Sequence, residues 1–172
     1  MNSMERSQWY MGVPNGVVLC VDRMKGGEPA GRFYHAYSRE GTVFENMDKA
    51  LAGMEALYDR LKFPYPATKP RSFTGQRRKA ENGQERTRIM RDEELLNMHG
   101  DLGTFLVRVQ HRQNSSWQGR VTWMEENKTV NFRSVWEMIK LVEEALDTVS
   151  EQEGNPREAR WPEEEDHPER GL

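Results

Sequence analysis

Cys20 is the only cysteine in 172 residues. A lone thiol excludes an intramolecular disulfide and a cysteine-based zinc cluster, and it fits a reducing compartment. No apolar run approaches the roughly 18 residues needed to cross a bilayer. The opening segment MNSMERSQWYMG has no basic stretch followed by an apolar one, so no signal peptide is expected. These absences predict a soluble, cytoplasmic protein with no membrane association. Aromatic residues make up 9% of the chain and hydrophobic residues 35%, against 31% charged, which predicts a modest core flanked by polar segments.

The motifs that carry chemistry are absent as well. There is no glycine-rich loop leading into Lys-Ser/Thr, no G-x-G-x-x-G between a strand and a helix, and no G-x-S-x-G. The four histidines, His35, His99, His111 and His167, lack H-x-x-x-H spacing. The adjacent pairs Glu93-Glu94, Glu125-Glu126 and Glu143-Glu144 point their side chains apart, which suits solvated charge better than an acid–base dyad. Cys20, an alternate position on its strand, reads as an exposed thiol without a histidine to activate it. The expectation is a non-enzyme with no cofactor, no metal and no catalytic residue.

What the chain does contain is a pattern that returns after 88 residues. On that shift Gly31-Arg32 falls on Gly119-Arg120, Phe44 on Phe132, and Asp59 on Asp147. Val17, Leu19 and Val21 fall on Phe105, Val107 and Val109, Phe33 falls on Val121, and His35 on Trp123. Each half opens on an apolar residue at every second position, the period of a strand with one buried face. A turn, a second strand (GRFYHAY or WQGRVTW), a tight turn and a short third strand follow. Gly26-Gly27 belongs to a hairpin turn, where glycine supplies positive φ.

Each half then closes with a helix. Val135, Met138, Ile139, Val142, Ala145 and Leu146 form one apolar stripe, and Met47, Ala50, Leu51, Met54, Leu57 and Tyr58 occupy the same six places. Ser134 with Glu137 reads as a capping box, and Asn46 as the matching N-cap. His35 and His111 are assigned to the inward faces of their strands.

The fold expected is α+β: an internally duplicated β-β-β-α unit, its sheet carrying the helices on one face. Residues 1–16 form a lead-in, 17–61 and 104–148 the two units, 62–103 a basic connector containing prolines with a short helix near 89–99, and 149–172 an acidic disordered tail. Residues 151–172 hold eight acidic and three basic side chains, a local −5 that leaves +2 for the remaining 150. Between Lys62 and Asp92 nine Lys/Arg face three Asp/Glu. Charge blocks of this kind mark interaction segments and tails.

The tract Arg112-Gln113-Asn114 followed by Trp117-Gln118-Gly119, then Trp123, Phe132-Arg133-Ser134 and Ile139-Lys140-Leu141, carries a resemblance. Over residues 104–148 the chain resembles a set of small bacterial proteins with an RQN-x-x-WQG-x-x-x-W…FRS…E-x-I-K-L segment, to which no activity attaches. The β-β-β-α order alone is similar to AP2-type DNA-binding domains and HicB-like antitoxin domains, an analogy of topology and not of function.

Two binding functions follow from these residues. The first is a protein-binding or accessory module, acting on a protein partner or a second copy. Its contacts would be Trp136, which lies off the apolar stripe of its helix, with Trp9 and Trp161 in the flanking segments. The second is nucleic-acid binding. Strict alternation puts Arg108, Gln110 and Arg112 on the outer face of one strand and Arg120 beside them on the next. Arg77, Arg78 and Lys79 in the connector would add phosphate contacts.

Overall fold

The computed structural model describes residues 11–66, 73–74, 87–113 and 116–153. Strand β1 (Val17–Lys25) and strand β2 (Glu28–Tyr34) form a hairpin. Gly26 and Gly27 both adopt positive φ, 60° and 81°, which matches the twist of a two-residue hairpin turn. Strand β3 (Thr42–Phe44) and helix α1 (Met47–Leu61) complete the first half. A short helix α2 (Asp92–Leu96) precedes strands β4 (Gly103–Gln113), β5 (Ser116–Trp123) and β6 (Lys128–Phe132) and helix α3 (Val135–Glu153).

The six strands form one antiparallel sheet in the order β3-β2-β1-β4-β5-β6, an α+β architecture with helices on the sheet. Leu19 pairs with both Phe33 and Phe105, so these three side chains share a face. A Cβ on Gly53 of α1 would meet the Phe33 ring, and one on Gly103 would meet Phe105 and Leu146 of α3. Both long helices therefore cover this face. They bury Met47, Ala50, Met54, Leu57 and Tyr58 of α1 and Met138, Val142, Ala145 and Leu146 of α3. Each large side chain so buried contributes roughly 1.5–3 kcal/mol.

The helix starts follow from their capping residues. Asn46 accepts a hydrogen bond from the Lys49 N–H, and Ser134 Oγ accepts one from the Glu137 N–H. The Glu137 carboxylate faces Arg133 Nε at 3.5 Å instead of closing a reciprocal capping box. Helix α3 runs to Glu153, so residues 149–153, expected as tail, extend that helix. The helix expected near 89–99 is confined to α2, while Ile89 and Met90 donate their N–H groups to Ala36 O.

Pairing registers recur in the second half with an offset of 88. Leu19–Phe33, Cys20–Arg32, Val21–Gly31 and Gly31–Phe44 correspond to Val107–Val121, Arg108–Arg120, Val109–Gly119 and Gly119–Phe132. Both hairpins slip at the corresponding place, between Val21 and Arg23 and between Val109 and His111. At the centre of the sheet Val18 pairs with Leu106.

The outer face of the central strands is also covered. Val18, Cys20, Thr104 and Leu106 are buried there. Gly100 donates its N–H to Thr104 Oγ1, tying residues 97–102 to this face, and Met90, Leu95 and Leu96 are buried in the same core. A central strand with both faces buried reads as a continuous apolar run, which is what Val17–Val21 is.

Gly31 and Gly119 are required by close approach. A Cβ at Gly31 would lie 1.9 Å from Cys20 O, and one at Gly119 would lie 2.1 Å from Arg108 O. Because the contacted atoms are backbone, neither site can relax by moving a side chain. Gly31→Ala and Gly119→Ala should each lower the unfolding free energy by about 2–3 kcal/mol in urea titrations. Equal losses are expected from the two variants, since the two positions carry the same contact.

Candidate functional site

The slip in the second hairpin rearranges the residues expected on one surface. An extra residue at Gln110 reverses the alternation beyond it, so that Arg112 pairs with Trp117 on the helix face. Arg112 is therefore not on the outer sheet face. Its side chain is 2% exposed, and Nη1 reaches Glu55 at 3.1 Å and Asp59 at 2.8 Å, both on α1. Nε donates to Pro64 O at 2.6 Å, and the guanidinium carbon lies 5.8 Å from the centre of the Tyr58 ring. Trp117 Nε1 donates to the other oxygen of Glu55 at 2.7 Å. The same reversal leaves His111 exposed, where strict alternation had placed it inward. The signal for the Arg112 cluster was present in the acidic i, i+4 pair Glu55 and Asp59, which shares one helix face and needs a cation.

Arg108 and Arg120 remain on the outer face, directly opposite each other on β4 and β5. One nitrogen of Arg108 donates to Thr122 Oγ1 at 3.1 Å, and Thr122 Oγ1 lies 2.8 Å from Thr129 Oγ1. The Nε atoms of both arginines are buried without a hydrogen-bond partner, and neither arginine meets a carboxylate among the described residues. Burial first, and then the facing Arg120 charge, push the Arg108 guanidinium below its ordinary basicity. At the corresponding place in the first half, Arg32 bonds to Asp22 at 3.1 Å and to the Tyr34 hydroxyl at 2.7 Å. The hydrogen bond to Asp22 holds Arg32 above its ordinary basicity.

A cleft of about 260 Å³ opens on the other side of the sheet, between α3 and β4–β6. Phe105, Val121, Trp123 and Val130 form its floor, and Leu141, Glu144, Ala145 and Thr148 its helix wall, with Lys128 at the rim. Sequence reading missed this cleft, because its lining alternates between stripe and non-stripe positions of the helix. Trp136 stands farther along the same helix at 66% exposure, with Lys140 Nζ 5.1 Å from the centre of its ring.

Arg77, Arg78 and Lys79, and Trp9 and Trp161, lie outside the described residues. Two other arginines of the connector are neutralised locally, Arg88 by Asp92 and Arg91 by Glu94 at 3.4 Å. His35 is buried, and its Nδ1 accepts the Tyr37 N–H at 3.1 Å. Cys20 is buried, not exposed, because residues 97–102 and their neighbours cover the outer face of β1. That burial pushes its thiol up to about 12. Among the described residues no group of three or more His, Cys, Asp or Glu is placed to hold a metal ion, and no helix is long and apolar enough to cross a membrane.

No family model, no curated protein and no solved structure matches this chain.

Two measurements test the buried groups. Arg112→Gln should cost about 2–3 kcal/mol in urea unfolding, because the lost charge leaves Pro64 O and two half-exposed carboxylates without their cation. A loss below about 0.5 kcal/mol would mean that water replaces the guanidinium freely. For Cys20, the folded state holds the thiol proton to higher pH than the unfolded chain does. Its contribution to stability is thus complete below the ordinary value of 9.0 and is lost as the pH rises towards 12. Native protein at pH 8 should resist thiol labelling until it unfolds, and Cys20→Ala should flatten the alkaline fall in stability.

Proposed function

We propose that this chain is a non-catalytic accessory protein that binds a protein partner along α3 and the open edge strand β6. The observation that carries this reading is Trp136, two-thirds exposed and stacked under Lys140. Trp136, Lys140, Glu144 and Thr148 follow i, i+4 spacing and so form one ridge of α3. Glu144 and Thr148, at one end of that ridge, also line the apolar cleft. Val130 on the edge strand is 46% exposed across the cleft. An exposed tryptophan continuous with an apolar socket is the composition of a binding hot spot. The partner is another protein or a second copy of this chain.

The scaffold of this surface is, in our reading, an internally duplicated β-β-β-α unit. Support comes from the common pairing registers, the bulges at matching places, and the capping residues Asn46 and Ser134 at matching positions. A reducing, cytoplasmic setting is supported by the single buried thiol. Nucleic-acid binding through Arg108, Arg112 and Arg120 acting together has less support, since Arg112 is held inside by Glu55 and Asp59.

Affinity capture from native extract with wild type, Trp136→Ala and Val130→Glu tests the proposal, alongside sedimentation of each purified protein. Both variants change exposed side chains, so their melting temperatures should match wild type within about 1–2 °C. The captured partner, or the self-association, should weaken about 30-fold or more with Trp136→Ala, the loss of a hot-spot tryptophan. Unchanged binding by both variants would rule out this surface.

A further inference from the structure

We infer that Arg108 and Arg120 form a binding site for a phosphate group on the outer face of the sheet, opposite the face that carries α3. Two arginines stand directly opposite each other across one strand pair, an arrangement of like charges that costs stability and that an anion between them relieves. Each keeps its Nε without a partner, and no carboxylate among the described residues approaches either one. A doubly charged oxyanion neutralises both, and the planar fork of arginine matches its oxygens. A single carboxylate would leave one charge unanswered.

The first half of the sheet supplies an internal control. There the bulge residue is Asp22, and it neutralises the single arginine Arg32 at 3.1 Å. At the corresponding bulge of the second half stands Gln110, which carries no charge, while the facing pair holds two arginines instead of Cys20 and Arg32. The second half thus lacks the internal counter-ion that the first half has, and doubles the charge to be met. Thr122 Oγ1 bonds to Arg108, and Asn131 pairs with Arg120 on the next strand. These neutral donors and acceptors border the arginines without competing for their charge.

The phosphate belongs to a small molecule or to a polynucleotide backbone, and the experiment separates these sources. Thermal unfolding of the whole chain would be followed with added orthophosphate and with sodium chloride at equal ionic strength, and retention of a single-stranded dodecanucleotide would be measured. Wild type should gain about 2 °C or more in Tm from 10 mM phosphate over the chloride control. Gln110→Asp supplies the counter-ion that Asp22 supplies in the first half. It should weaken the phosphate response while leaving the ligand-free protein as stable as wild type or more so. Arg108→Gln with Arg120→Gln should abolish the response.

A response to orthophosphate alone assigns the site to a small phosphate. A dodecamer held by wild type and released by Gln110→Asp assigns it to a polynucleotide. Either result supports the site. No response to either probe, or a response that survives in both variants, overturns it. Because Val130 and Trp136 belong to the helix-bearing side of the sheet and these arginines to the other, failure here leaves the partner surface on α3 untouched.

Discussion

The pairing of β1 with β4 holds the two halves of this protein together. Leu19 meets Phe105 at its centre, flanked by Val18–Leu106 and Cys20–Thr104. Each half alone would expose the edge of its first strand and an apolar helix-facing surface too small for independent stability. Joined along that edge, the halves make one six-stranded sheet with a continuous core, in which Val17, Val18, Leu19, Cys20 and Val21 are all buried. The helices supply one cover and residues 97–102, with the buried side chains before them, supply the other. Among the described residues no further strand pairs with the outer strands β3 and β6.

Arg112 adds a second tie between the halves. It comes from β4, beyond the bulge, and reaches Glu55 and Asp59 on the helix of the other half. An arginine so deeply buried is tolerated because each part of it has a partner: two carboxylates, a carbonyl oxygen and an aromatic ring. The bulge is what makes this contact accessible, since one extra residue turns the side chain from the outer face to the inner one. It also divides the arginines of β4 and β5 into one that is structural and two that meet no carboxylate among the described residues.

The two hairpins share pairing registers at an offset of 88, and most candidate binding residues of the second half, Arg120 excepted, differ from the residue at the matching position. Arg108 stands where the first half has Cys20, Gln110 where it has Asp22, and Trp136 where it has Asp48. Val130 corresponds to Thr42, and Arg112 to Met24. These few positions make the two faces of the second half chemically distinct. One face offers an apolar cleft beside an exposed tryptophan, and the other a pair of arginines that meet no carboxylate among the described residues.

The sequence by itself determined the local elements, because their signals are short-range. Apolar residues at every second position from Val17 and from Phe105 marked the strands, the stripes from Met47 and Val135 marked the helices, and Asn46, Ser134 and Gly26-Gly27 marked their ends and turn. Tertiary structure decided what depends on register and on covering layers. Strict period-2 counting cannot place an inserted residue, so it put Arg112 outside and His111 inside, and the bulge at Gln110 reversed both. Cys20 is buried because of chain some 80 residues away, at Gly100 and Thr104, which no local pattern announces. Arg108 and Arg120 become a pair only when β4 and β5 align, and whether a charge is answered or left unpaired is set by that alignment.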